Sequence, residues 1–435
     1  MLRYQAGIKI SKEYLMSKIR MIHTSDWHLG NTMNERSREE ENTAFLKWLH
    51  AKIVELDINV LVIAGDVFDT KMPGSTAQAM YYSFLAELKN TNCRNIVVIG
   101  GNHDNASLLD APKYLLEAFN ISVVGSIKER TPADLVVKLK DENADIIGLV
   151  CAVPFIRESD LSQIHSGLRQ TEVAQKMENA YREIYQQTSM AAEEIRKTCD
   201  KKIPIIATGH LYAAGALRGN ANEDGVREIV GTLDGFSASV FPETFDYVAL
   251  GHIHRNQKVS GKNHIRYCGS PFVMGFDETE IPHYVLEINF DDECKPQINS
   301  HEVPVYTKYI RLEDSLDGIR EKLKQLKNEN CKALIDVHIT DNVYGIDFKR
   351  ELADVTDGAL FDIVRFRIEG GVYENQLIND EAVRDLSDFS ERDIFNVFLK
   401  SKERTDEEEE LMPLFLQLVS EVTEEVEKTE AADEN

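Results

Sequence analysis

Short apolar runs alternate with amphipathic stretches over the first two thirds of the chain. Residues 19–24, 60–64, 96–99, 203–207 and 247–250 are apolar runs of four to six residues, the length of buried strands rather than of helices. Between them, residues 39–56 place Phe45, Leu49, Ile53 and Leu56 at helical spacing. Residues 76–88 read as a second helix, and 171–198 as a long, mostly polar one expected on the surface. Residues 264–290 read as strands interrupted by Gly269-Ser270-Pro271. This alternation predicts an α/β fold.

Near residue 303 the pattern restarts as strand 306–311, helix 315–326, strand 333–339, helix 347–354 and strand 361–368. That is a small α/β module, too short to hold a deep site of its own. After Gly370-Gly371 the character changes again. Ser390-Glu391-Arg392-Asp393 has the form of a helix N-cap with an acid at the third position, leading into residues 394–399. Further on, Leu411, Phe415, Leu418, Val422 and Val426 fall on one stripe that Pro413 starts or kinks. The expected domains are residues 18–290, 303–370 and 379–430. Residues 1–17 show little pattern, and Met16 is an alternative start.

A chain of 435 residues with 43% apolar content has room for two or three domains with a sizeable core. Its six cysteines are scattered without a CxxC pair, which suits reduced thiols and not a disulfide frame or a zinc ribbon. No apolar stretch approaches the roughly 20 residues of a membrane span, and no signal-peptide core opens the chain; a cytoplasmic protein is expected. The net charge of −25 argues against unaided binding to a polyanion. It is uneven, since Ser401 to Asn435 hold thirteen acids against three bases. A nucleic-acid substrate would need bound metal ions, local arginines or a partner's basic surface to offset the repulsion.

Behind the five apolar runs stand Asp26-Trp27-His28, Gly65-Asp66-Val67-Phe68-Asp69, Gly101-Asn102-His103-Asp104, Gly209-His210 and Gly251-His252-Ile253-His254. Singly, each is a loop histidine or a capping aspartate. Strand ends of an α/β sheet share one edge, however, and there the five collect into one site. Asp, Asn and His groups without cysteine suit a borderline-to-hard metal such as Mn²⁺. Asp26 and His28, two apart on an extended turn, point the same way and can hold one ion. Asp66 has two carboxylate oxygens with which to bridge two ions, Asn102 offers an amide oxygen, and His210 an imidazole. His252 and His254 could each serve a different ion. Two divalent cations about 3.5–4 Å apart would polarise a phosphoryl oxygen and activate water for in-line attack. His103 could protonate the leaving oxygen, with Asp104 fixing its tautomer.

The series resembles the calcineurin-like metallophosphoesterase superfamily. Longer strings are similar to the nuclease-subunit family of bacterial SbcCD complexes. These are His23-Thr24-Ser25-Asp26-Trp27-His28-Leu29-Gly30, Gly65-Asp66-Val67-Phe68-Asp69-Thr70, Val153-Pro154-Phe155-Ile156-Arg157, Gly251-His252-Ile253-His254-Arg255 and Tyr267-Cys268-Gly269-Ser270-Pro271. The resemblance covers residues 18–276 and extends more loosely to the C-terminus. It implies a β-sandwich flanked by helices, a small α/β capping domain that limits DNA access, and C-terminal helices that dock on the coiled-coil ATPase SbcC. It also implies two divalent ions, most often Mn²⁺: one on Asp26, His28, Asp66 and His254, the other on Asp66, Asn102, His210 and His252. His103 is then the transition-state histidine. Archaeal and eukaryotic relatives carry histidine at the place of Asp69, so any role of that histidine does not carry over, and Asp69 is left to orient a neighbour.

The implied activities are double-strand 3′–5′ exonuclease and single-strand or hairpin endonuclease, within a heterotetramer containing a homodimer of this chain. Apolar Leu108, Leu115, Leu116 and Phe119, with the helix at 76–88, are the expected dimer face. Arg157, Arg169, Arg218, Arg255, Lys258 and Arg266 lie near the motifs, and Arg157 and Arg255 are the candidates for DNA phosphate contact. A small-molecule phosphodiesterase or phosphatase is the alternative reading, which the extra module and C-terminal helices disfavour. A binding scaffold with a decayed site is disfavoured by the intact ligand set.

Overall fold

Within each apolar run, successive side chains turn to opposite sides, and both sides are covered. The computed structural model describes residues 19–34, 36–161, 170–213, 235–276, 278–341 and 348–368, with Phe395, Leu411, Met412, Leu414 and Phe415. The chain opens with β1 (Arg20–Thr24), β2 (Thr32–Met33), β3 (Arg36–Ser37), α1 (Glu39–Glu55), β4 (Val60–Ala64), α2 (Ser75–Leu88) and β5 (Asn95–Ile99). It continues through α3 (Ala106–Asp110), α4 (Lys113–Glu117), β6 (Ile121–Val124), β7 (Val136–Lys140), β8 (Ile146–Cys151), α5 (Gln170–Arg196) and β9 (Ile205–His210). Then come β10 (Tyr247–Gly251), β11 (Gln257–Val259), β12 (Lys262–Tyr267), β13 (Tyr284–Phe290) and β14 (Pro296–Glu302).

Two six-stranded sheets result, ordered β14-β13-β1-β4-β5-β6 and β11-β12-β10-β9-β8-β7. Strands β1, β4, β5 and β6 of the first sheet and β12, β10, β9 and β8 of the second are parallel, with Ile22 opposite Leu61 in one and Val248 opposite Ala207 in the other. Met21, Val60, Val62 and Ala64 from the first sheet meet Ile206, Tyr247 and Ala249 from the second in one core. The alternate residues Ile22, Leu61 and Ile63 face Phe45, Leu49, Ile53, Tyr81 and Phe84 on α1 and α2. On the far side, Ile205, Ala207, Val248 and Leu250 pack with Tyr181, Tyr185 and Ala192 of α5. The expected β-sandwich flanked by helices is therefore present. As expected for residues 171–198, α5 lies on the surface, and one stripe with Tyr181, Tyr185 and Ala192 is buried against the second sheet. Its tyrosines carry the apolar area that its polar majority conceals.

The stretch 108–119 is two short helices rather than one, because Pro112 supplies no N–H to continue α3 and stands as the N-cap of α4. Leu116 is buried there, while Tyr114, Leu115 and Phe119 are exposed.

A further module comprises β15 (Lys308–Asp314), α6 (Leu316–Asn328), β16 (Ala333–Ile339), α7 (Phe348–Thr356) and β17 (Asp362–Ile368), its three strands parallel. Ser315 caps α6 by accepting from the Gly318 N–H at 3.2 Å. The chain divides into units 1–372 and 373–435. In the second, the rings of Phe395 and Phe415 stack with centroids 4.2 Å apart and Met412 is buried. Most of the expected C-terminal helices lie outside the described residues. Among the described residues, no helix is long and apolar enough to cross a membrane. All six cysteines are free.

Candidate metal centre

The five motifs leave the C-terminal ends of β1, β4, β5, β9 and β10, so one edge of the sandwich gathers them. The turn at Asp26 and His28 is not extended as expected. Asp26 (φ 54), His28 (φ 43), Asp66 (φ 50) and His252 (φ 94) all have left-handed backbones, at about 1–3 kcal/mol each for such residues. Backbone bonds hold them there: Asp26 N to Gly65 O at 3.0 Å, His28 N to Asp66 O at 3.1 Å and Leu29 N to Val67 O at 2.9 Å. The His252 N–H donates to Asp26 Oδ1 at 2.9 Å, tying the last motif to the first.

Glycine is required where these loops cross. Gly65 has φ +89, and a Cβ there would fall on the His210 ring. At Gly101 a Cβ would fall on the Asp66 carboxylate, and at Gly251 on the Ala64 carbonyl.

Among the described residues three groups of possible donors bring ligand atoms within 4.8 Å of one another: Asp26, His28 and His254; Asp26, Asp66 and His210; and His28, Asp69 and His103. The first two are the proposed ligand groups. Asp66 Oδ2 stands 3.1 Å from His210 Nε2 and 3.7 Å from His28 Nε2, so one carboxylate faces both groups. Asn102 Oδ1 lies 3.0 Å from His210 Nε2 and 3.0 Å from His252 Nδ1.

These residues fit divalent ions on the chemistry of their lone pairs. The Ala64 carbonyl, 2.9 Å from His210 Nδ1, can only accept, so that nitrogen carries a proton and Nε2 is the atom that holds a second proton without metal and would meet a cation with it. It points at two further acceptors, Asp66 Oδ2 and Asn102 Oδ1. Such a convergence needs a proton or a cation between its members. His28 repeats the pattern: Nδ1 donates to Asp69 Oδ1 at 3.2 Å, and its buried Nε2 has no hydrogen-bond partner among the described residues.

Protonation follows the same geometry. Burial works against a charge on His210, yet the neighbouring carboxylate of Asp66 lifts its pKa to about 9. Burial also opposes a charge on His28, and hydrogen bonding to Asp69 with the fields of Asp66 and Asp26 overcomes it, so its pKa rises. Asp66 is itself buried, but His210 holds its carboxyl far below the usual range. Burial lowers His252 to about 3 and His254 to about 4, leaving both as neutral imidazoles.

Asp104 does not orient His103. Its carboxylate is buried and accepts three backbone N–H groups: Gly101 at 2.8 Å, Phe68 at 3.0 Å and Val67 at 3.2 Å. It is the clamp between the second and third motifs. Burial and then repulsion from Asp66 lift its pKa to about 6. His103 is held instead by Asp69, whose main-chain carbonyl stands 2.7 Å from Nδ1, and by Asp66, whose Oδ1 accepts the His103 N–H at 2.8 Å. Its ring lies 4.7 Å from that of His28.

Arg157 turns its guanidinium inward, donating to the carbonyls of Asp104 at 2.6 Å and Gly101 at 3.3 Å, so it braces the loop bearing Asn102 and His103. Arg255 follows His254 directly, and its buried Nε has no hydrogen-bond partner among the described residues. Arg266 bonds to Asn263, and Lys258 is exposed. Arg169 and Arg218 lie outside the described residues. Sequence reasoning missed Ser25, whose hydroxyl donates to Asp26 Oδ2 and lies 3.0 Å from Cys268 Sγ; nothing in its spacing signals this. For Asp69 the Gly-Asp-x-x-Asp spacing is itself the signal.

The sandwich and its edge of carboxylates and histidines define a phosphoesterase. Residues 19–256 match the calcineurin-like phosphoesterase family, a class that works with divalent metal ions. Residues 305–403 match a family described as the type 5 capsule protein repressor C-terminal domain, SbcD_C. The SbcD component of nuclease SbcCD from Escherichia coli (strain K12) is 34% identical over 395 residues, 90% of this chain and 95% of that protein. Its namesake from Rhodobacter capsulatus is 35% identical over 286 residues, 64% of this chain and 68% of that one. The Bacillus subtilis namesake is 32% identical over 262 residues, 60% and 63% of the two chains. The chain belongs to the SbcD family of nucleases.

Proposed function

We propose that this chain is the nuclease subunit of an SbcCD-type complex and hydrolyses DNA phosphodiester bonds at a centre of two divalent ions, with Mn²⁺ the ion its oxygen- and nitrogen-rich donors suit. The observation that carries the reading is the convergence of ligand atoms on Asp66, which faces His210 and His28 at once. Asp26, His28, His254 and Asp66 hold one ion; Asp66, Asn102, His210 and His252 hold the other. The ions would supply polarisation of a phosphoryl oxygen and a lowered pKa of attacking water.

The chain's own groups do the rest. Ala64 and Asp69 fix the tautomers of His210 and His28, so that each presents Nε2 inward. With Nδ1–H of His103 tied to a carbonyl, it is the imidazolium form that acts: it gives its Nε2 proton to the leaving oxygen and is left as the neutral Nδ1–H tautomer. The Arg255 guanidinium contacts a DNA phosphate, whereas Arg157 acts on the loop.

The activities are double-strand 3′–5′ exonuclease and single-strand or hairpin endonuclease, in the cytoplasm. Residues 18–290 form the nuclease domain, 303–370 the capping domain and 379–430 the helices that dock on an SbcC-type coiled-coil ATPase. Exposed Tyr114, Leu115 and Phe119 support a homodimer within a heterotetramer, read by light scattering. The deciding experiment digests hairpin and plasmid DNA with Mn²⁺ beside a generic phosphodiester dye. Cleavage of DNA supports the reading; turnover of the dye alone points to a small-molecule phosphodiesterase.

A further inference from the structure

At the foot of α1, Arg38 has 1% of its surface exposed, an uncommon place for a guanidinium. Its Nη1 donates to the Val273 carbonyl at 2.6 Å, its Nη2 to Glu41 Oε2 at 2.9 Å and its Nε to Glu41 Oε1 at 3.4 Å. The hydroxyl of Tyr309, on β15, donates to the same Glu41 Oε1 at 2.6 Å. The guanidinium also lies over the rings of Phe272 and Tyr309, 4.9 and 5.3 Å from their centroids. Three pieces of the chain therefore meet on one buried ion pair: the start of α1, the loop at 269–276 and the first strand of the three-stranded module. Around it, Met33, Val273, Phe276, Tyr309 and Val364 close an apolar patch.

That loop runs back to the metal centre. The Ser270 N–H donates to the His254 carbonyl at 3.1 Å, and Gly269 packs so closely that a Cβ would stand 2.6 Å from the same oxygen. A buried ion pair is a weak source of stability compared with apolar side chains of similar volume. What it adds is direction. An apolar patch tolerates sliding, whereas a guanidinium with donors aimed at a carbonyl and a carboxylate permits one arrangement.

We infer that Arg38, Glu41 and Tyr309 form a positioning joint that fixes the three-stranded module against the loop behind His254 and so sets which phosphodiesters reach the metal centre. The joint stands on its own geometry, and its effect on substrate choice rests on the nuclease reading above. A duplex end is large enough to touch both body and module, while a small phosphodiester needs only the centre.

The test uses two variants of the full chain. Arg38→Met/Glu41→Met replaces the ion pair with chains of similar volume and leaves no charge stranded. Tyr309→Phe removes one hydroxyl and keeps the ring. The first measurement is the distance distribution, by pulsed electron resonance, between nitroxides at the exposed positions Lys47 on α1 and Lys324 on α6. The second is kcat/KM on a blunt duplex and on bis(p-nitrophenyl) phosphate. The double variant is expected to broaden the distance distribution and to lose about 10- to 100-fold on the duplex, mainly through KM, the scale of a misplaced substrate. The dye should stay within about twofold, and Tyr309→Phe should shift in the same direction by less. An unchanged distance distribution overturns the inference, as does an equal loss on both substrates. A wild-type chain that turns over the dye but not the duplex overturns the nuclease reading instead, and the label distances still decide the joint.

Discussion

The main-chain carbonyl of Asp69 and Nδ1 of His103 stand 2.7 Å apart. A carbonyl cannot donate, so the ring must hold a proton on Nδ1, and the proton it can give away is the one on Nε2. The same residue's carboxylate orients His28. One aspartate thus sets the tautomers of a proposed ligand and of the proposed acid, through different atoms.

From this arrangement, His103→Ala should spare metal binding and slow cleavage by about 10²–10⁴-fold, the usual size of an acid–base contribution. Calorimetric titration of Mn²⁺ and turnover at saturating metal read the two effects separately. Turnover equal to wild type would remove His103 from the chemistry.

Asp104→Ala should behave as a stability variant. Three buried N–H groups lose their acceptor, each worth about 1–3 kcal/mol when left unmatched. Urea unfolding of the metal-free protein should show the midpoint falling, with Asp104→Asn intermediate because its amide oxygen still accepts. A variant with full stability and no activity would restore a catalytic role.

Asp66→Ala should weaken both ions together and lower activity by more than about 10²-fold, the upper range for outer-shell partners alone. It also frees the His103 N–H. A variant that still titrates two ions with wild-type affinity would end the bridging role.

Metal binding should release protons. The metal-free His210 has its pKa raised to about 9, against 6.5 ordinarily, so it is charged at pH 7.5, whereas a ligand must be neutral. The sign is fixed: affinity rises with pH until about 9 and levels off above it. Titration in two buffers of different ionisation enthalpy at pH 7.5 measures the release, and identical heats would contradict it.

Deleting the chain from Asn379 onward should leave Mn²⁺ binding and basal hydrolysis intact while abolishing ATP-dependent stimulation by a coiled-coil ATPase. No proposed ligand lies beyond His254. A truncated chain that still co-purified with the ATPase and answered to ATP would move the interface elsewhere.

The strands were legible because they are covered on both faces and therefore read as unbroken apolar runs, such as 60–64; their arrangement as a sandwich came from the family resemblance alone. The donor set was legible because each motif ends a strand, and strand ends share an edge. Spacing is silent about which side chain meets which across the chain. Asp104 adjoins His103 in sequence, yet its carboxylate turns to the N–H groups of Val67 and Phe68, and the carbonyl of Asp69 takes its place. The left-handed turns at Asp26 and His28 were invisible for a related reason, since bonds to Gly65 and Asp66 impose them. For α5, the polar majority masked the few tyrosines that decide its burial.

Gly65, Gly101 and Gly251 leave no side chain where the strand ends cross, so His210, Asp66 and the Ala64 carbonyl close directly on main-chain atoms. The separation of the strand ends that carry the ligands is thereby a dimension of the peptide backbone. The ligating side chains can turn to follow a larger or smaller ion only within that frame. Metal substitution in this protein should therefore alter how well an ion is served far more than where its ligands stand, and the gauge against which each ion is measured is built from residues that never touch it.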